Sequence, residues 1–73
     1  MKIGDIVKNK ITGEYGTCHY SRFGISIHTY DEERKILSKD LGLPVEQLNE
    51  KWEVCNMPDN YKWDNTRLFI RKK

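Results

Sequence analysis

Glycine placement at the start of this chain restricts its folding more than any other feature. Gly4-Asp5-Ile6-Val7 reads as entry into a strand, and Gly13-Glu14-Tyr15-Gly16-Thr17-Cys18 as a tight turn followed by a second strand. Gly13 is free to take positive φ in the turn, and Gly16 has no side chain to hold a neighbouring strand away. Asp5 can accept hydrogen bonds from backbone amides near the strand start, and Val7 points toward a core. Such an opening suits a small closed β-barrel acting as a binding module.

Length narrows the choice. The 73 residues make one domain, 1–73, with no room for a second core. A chain this short buries only about 60% of its unfolded surface. That leaves little for a catalytic cleft and the shell that supports one, so no enzyme and no cofactor are expected. Thirteen basic and 11 acidic side chains leave a net charge of +2, too balanced to demand a nucleic-acid partner. The charges are unevenly spread: residues 31–53 carry seven acids and four bases, whereas residues 54–73 carry two acids and five bases. Two cysteines without a CxxC pair, no apolar leader after Met1, and no run near the about 20 apolar residues of a membrane span point to a cytoplasmic protein with reduced thiols.

Patterning supplies the remaining elements. Residues 3–9 read as the first strand and Tyr15 to Tyr20 as the second. Ser21-Arg22-Phe23-Gly24 is a turn. Ile25 to Tyr30 alternates cleanly, with Ile25, Ile27 and Thr29 on one side and Ser26, His28 and Tyr30 on the other. A tight turn at Arg22-Phe23 sets Cys18 near Ile27 and Tyr20 near Ile25, giving that hairpin one apolar face. Residues 31–40 read as a hairpin, with Asp31-Glu32-Glu33 turning and Arg34 to Ser38 returning; a helix capped by Asp31 is the alternative, with a thin apolar stripe against it. Residues 44–51 form the one short helix, opened by Pro44, with Val45, Leu48 and Trp52 at spacings of three and four. Trp52 to Cys55 is a short strand, and Thr66 to Arg71 a final one with Leu68 and Ile70 opposite Phe69.

With its Gly4-Asp5-Ile6-Val7 strand and its Gly13-x-x-Gly16-x-Cys18 turn, the chain resembles KOW-type and related SH3-like small β-barrels. The resemblance covers the first quarter of the chain and implies an SH3-like barrel of about five strands. It departs from the family at Asn9 and Cys18, where valine is usual, and in a short turn carrying Glu14. The basic residues that KOW-type proteins set against nucleic acid are sparse. The lysine-, asparagine- and tyrosine-rich remainder looks like the small proteins of phages and prophages.

Candidate sites follow from residue chemistry. Eight aromatic rings exceed what a small barrel core uses. Phe23, His28 and Tyr30 fall on the face or loop opposite the inferred core, and Tyr61 and Trp63 lie in the polar stretch Asn60 to Asn65. Exposed tyrosine and tryptophan anchor protein interfaces, so these five are the expected partner-binding residues. Trp63 folding back over the barrel end is the competing reading. A nucleic-acid site would instead draw on Lys8, Lys10, Arg22, Arg67, Arg71, Lys72 and Lys73. Cys18, His19, His28 and Cys55 are metal-ligand types, but adjacent Cys18 and His19 face opposite ways in a strand, and no metal is expected. The expected function is thus a non-enzymatic, protein-binding regulator or inhibitor of the phage or mobile-element type, with nucleic-acid binding as the alternative. It would be a monomer, or a weak homodimer paired through its terminal strand.

Overall fold

The computed structural model describes residues 1–30 and 42–73 and, between them, the backbone of Asp31 and of the strand Lys35–Lys39. These residues are mostly β. Five strands form one antiparallel sheet: β1 (Ile6–Asn9), β2 (Tyr15–Ser21), β3 (Gly24–Asp31), β4 (Lys35–Lys39) and β5 (Trp52–Cys55), in the spatial order β4-β3-β2-β1-β5. Helix α1 (Val45–Lys51) leads directly into β5. A second, two-stranded sheet joins β6 (Tyr61–Trp63) to β7 (Ile70–Lys72). No helix among the described residues is long and apolar enough to cross a membrane.

The opening glycines act as their spacing implies. Asp5 accepts a hydrogen bond from the Lys2 amide at 2.9 Å, and Val7 is fully buried. Gly13 has φ 78° in the β1–β2 turn. Asn9, where the resemblance leads one to expect valine, organises that turn, because its side-chain oxygen accepts from the Ile11 and Thr12 amides at 2.8 and 3.0 Å. Lys10 then ties the turn to the helix. Its Nζ donates to the Asn49 carbonyl at 2.7 Å and its amide to the Lys51 carbonyl at 2.8 Å, which satisfies acceptors left open at the C-terminal end of α1.

The β2–β3 hairpin has the expected register, with Cys18 opposite Ile27 and Tyr20 opposite Ile25. Its apolar face is sealed only in part. Cys18 and Ile27 are fully buried in a cluster with Val7, Leu48 and Trp52, but Tyr20, at the turn end, is 77% exposed. The returning strand of the hairpin reading is present as β4, which pairs with β3 through Tyr30 opposite Ile36; of the turn expected at Asp31-Glu32-Glu33, residues 32–33 lie outside the described residues, as does Arg34. Pro44 is the N-cap of α1 and not its first helical residue, and Leu48 is the helix's buried anchor.

Three expectations are corrected. The sheet is not closed into a barrel among the described residues, because β4 and β5 stand at its opposite edges. Leu48 and Trp52 cover one face, while Phe69 and Ile70, buried with the C-terminal ribbon, serve the other, so both faces are shielded without edge-to-edge closure. The terminal strand is β7, shorter than Thr66 to Arg71, and it already pairs with β6. Phe69 and Ile70 are both buried, with no alternation between them, because Arg67 takes φ 62° and residues 64–69 form a turn in which the Asp64 amide donates to the Phe69 carbonyl.

Candidate functional site

The strand register divides the side chains between two faces. Val7, Cys18 and Ile27 face α1, whereas Thr17 pairs with Ile6 on one side and His28 on the other and faces the C-terminal ribbon. On this second face the Leu68 carbonyl accepts from the Thr17 hydroxyl at 3.1 Å and from His28 Nδ1 at 3.3 Å. With its proton given to Leu68, Thr17 Oγ1 accepts from His19 Nε2 at 2.8 Å. The His19 and His28 rings stack with centroids 4.1 Å apart. Tyr30 stacks on Phe69 at 4.9 Å. The ribbon is thereby latched across β2 and β3.

Beside this latch a cleft of about 240 Å³ opens between the sheet and the ribbon, lined by Glu14, Tyr15, Tyr30, Tyr61, Ile70, Arg71 and Lys72. Tyr15 and Tyr61 meet across it with centroids 4.9 Å apart. Arg71 lies over the Tyr30 ring at 5.1 Å and Lys8 over the Tyr15 ring at 5.7 Å. Arg71 also reaches the Asp64 carboxylate at 3.4 Å. That carboxylate accepts from the Thr66 amide and hydroxyl, which hold its pKa below the ordinary value.

Of the five residues expected to bind a partner, the structure gathers only Tyr30 and Tyr61 in the cleft. Trp63 is half-buried in β6 opposite Ile70. His28 is engaged in the latch, and Phe23 sits in the β2–β3 turn, 65% exposed. The basic set is equally divided. Arg71 and Lys72 line the cleft and Lys8 flanks it. Arg22 lies at the far end of β2, roughly 20 Å along the strand from Tyr15. Lys10 is bonded to α1, Arg67 lies in the 64–69 turn, and Lys73 is exposed with its amide on the Asn60 carbonyl. Tyr15 and Ile70 were not expected at a site. The β2–β3 register, continued two residues past Thr17 and His28, carries the signal for the first, since it places Tyr15 beside Tyr30.

The thiols are unsuited to nucleophilic work at neutral pH. Burial, reinforced by the charge of Asp5, pushes Cys18 up to about 11, and burial followed by the charge of Glu53 raises Cys55. Among the described residues, no group of three or more His, Cys, Asp or Glu is placed to hold a metal. Comparison with family models, with curated proteins and with solved structures finds no match to this chain.

The latch has a pH consequence. Burial, and then the neighbouring His28, lower the pKa of His19 from 6.5. A histidine whose folded pKa is depressed contributes stability that is complete above the unfolded value and is lost as pH falls through the folded one. The thermal midpoint is therefore expected to drop between pH 7.5 and pH 5. His19→Gln retains an N–H toward Thr17 and does not titrate, so its midpoint should drop less. An equal drop in both proteins, followed by circular dichroism, would show that His19 is not responsible.

Proposed function

We propose that the chain is a non-enzymatic binding module that holds another protein at the tyrosine cleft. The observation that carries this reading is the convergence of Tyr15, Tyr30 and Tyr61 with Ile70, Arg71 and Lys72 on one opening. Tyrosine and arginine dominate the energetic centres of protein interfaces, because they combine apolar area with polar tips. The cleft is smaller than the roughly 300–1,000 Å³ of pockets that enclose a drug-sized ligand, which favours side chains of a macromolecule over a cofactor. The glycine-rich opening at β1 and the return of β5 to β1 support an open SH3-like sheet as the scaffold. The likeness of the chain beyond its first quarter to small phage-type proteins supports a regulator or inhibitor of a mobile element, acting in the cytoplasm.

Affinity capture from cell extract, with and without nuclease, tests the proposal. A protein should be retained after nuclease treatment, and Tyr61→Ala should weaken its capture at least ten-fold while Phe23→Ala leaves it unchanged. Capture abolished by nuclease, or untouched by Tyr61→Ala in a variant that is still folded, would refute it.

A further inference from the structure

Resting on that reading of the cleft, we propose that its occupant is an acidic segment of the partner, which sets a side chain among the tyrosines and its carboxylates on Arg71 and Lys72. Three features of the site lead there. The first is that two ring faces are already taken by the chain's own cations, Lys8 over Tyr15 and Arg71 over Tyr30. Aromatic faces attract cations, so an open cage of this kind would suit lysine or a quaternary ammonium. Here such a ligand would meet a wall that already bears positive charge.

The second feature is the balance of charge. Among the described residues, Arg71 and Lys72 line the cleft against Glu14; just outside it, Lys8 has Glu53 opposite it on β5 and Arg71 touches Asp64. In the described lining itself, cations exceed carboxylates by two to one. The third is preorganisation. Asp64 engages one Nη1 of Arg71, and Thr66 fixes Asp64 in turn. A guanidinium carries five N–H donors in a rigid fork, and a fork braced on one side is suited to a carboxylate on the other.

A peptide fits better than a nucleic acid strand. A strand needs a basic track for successive phosphates. The cations here cluster at the cleft, while Lys10 is spent on the helix and Arg22 lies at the opposite end of β2.

The test uses the ¹⁵N-labelled full chain and four probes. These are a ten-residue peptide with aspartate and glutamate flanking a central leucine, its asparagine/glutamine counterpart, its lysine counterpart, and a ten-nucleotide oligothymidylate. The acidic peptide is expected to shift the amides of Tyr15, Tyr61, Ile70, Arg71 and Lys72 and to bind at least ten-fold tighter than the other three. Arg71→Gln should weaken it about ten-fold and Arg71→Lys, which keeps the charge but loses the fork, about three- to five-fold, both with the parent's spectral dispersion. Equal binding of the neutral peptide at these amides would overturn the acidic preference and leave the cleft as a protein site. Preference for the lysine peptide would do the same. Tighter binding of oligothymidylate would overturn both in favour of nucleic acid. Shifts confined to the Tyr20–Phe23 turn, or none with any probe, would also overturn both.

Discussion

Trp52→Ala should leave the chain largely unfolded at 25 °C. Trp52 is 1% exposed and is the largest of the fully buried side chains, packed with Val7, Cys18, Ile27 and Leu48. Removing a buried indole costs about 3–5 kcal/mol through lost transfer energy and the cavity left behind. Small domains have only about 0.05–0.15 kcal/mol of stability per residue, and one this short starts near the lower end. The position adds to the loss. Trp52 is where α1 becomes β5, its amide donates to the Leu48 carbonyl, and a seven-residue helix cannot persist without tertiary support. Urea titration followed by far-ultraviolet circular dichroism checks the expectation. Trp52→Phe, which retains most of the buried area, should keep a cooperative transition at a lower midpoint. Trp63→Ala, at a half-buried position, should cost less than Trp52→Ala. A Trp52→Ala midpoint equal to the parent's would show that the core lies elsewhere.

Legibility in the sequence tracked how local the determining interactions are. The register of the β2–β3 hairpin could be read to the residue, because Ile25 and Ile27 alternate with Ser26 and His28, although both strands run one residue further into the turn, where Ser21 pairs with Gly24. The start of α1 was marked by Pro44 and the strand β5 by Trp52 to Cys55, since both signals are contiguous. Strand β6 was not legible. Tyr61–Trp63 is three residues in a polar stretch and exists through its pairing with β7 and the contact of Tyr61 with Tyr15. Neither leaves a periodic trace. The cleft was hidden for the same reason, because residues 14–15, 30, 61 and 70–72 meet only once the ribbon has folded back. The stacked histidines were within reach: His19 pairs with Ser26 and Thr17 with His28, so the two rings are diagonal neighbours on one face.

Gly16→Ala is the second substitution expected to have a large effect, and it tests whether the opening glycines are needed for turning or for close approach. Gly16 does not have positive φ, so backbone strain is not the issue. A Cβ there would stand 2.6 Å from Ile27 Cγ2, 3.1 Å from the His28 carbonyl oxygen and 3.3 Å from Thr29 Cγ2. Ile27 is fully buried and branched at Cβ, so its methyl cannot swing clear without entering its neighbours. The His28 carbonyl belongs to the backbone of β3 and can move only with the strand. Overpacking of this kind costs about 1–3 kcal/mol, and contact with backbone on one side puts the expected loss at about 2–3 kcal/mol. The displacement would also pull on His28 and hence on its bond to Leu68, so the cleft should loosen together with the core. A double-mutant cycle with Ile27→Ala separates the closest of these contacts from the other two. That change removes the methyl nearest the new Cβ, and the cost of Gly16→Ala in its background should fall to about 1 kcal/mol, the part owed to the carbonyl and the Thr29 methyl. Additive costs would instead mean that the strands move apart as rigid units, and that Gly16 sets the spacing of β2 and β3 through backbone contact alone.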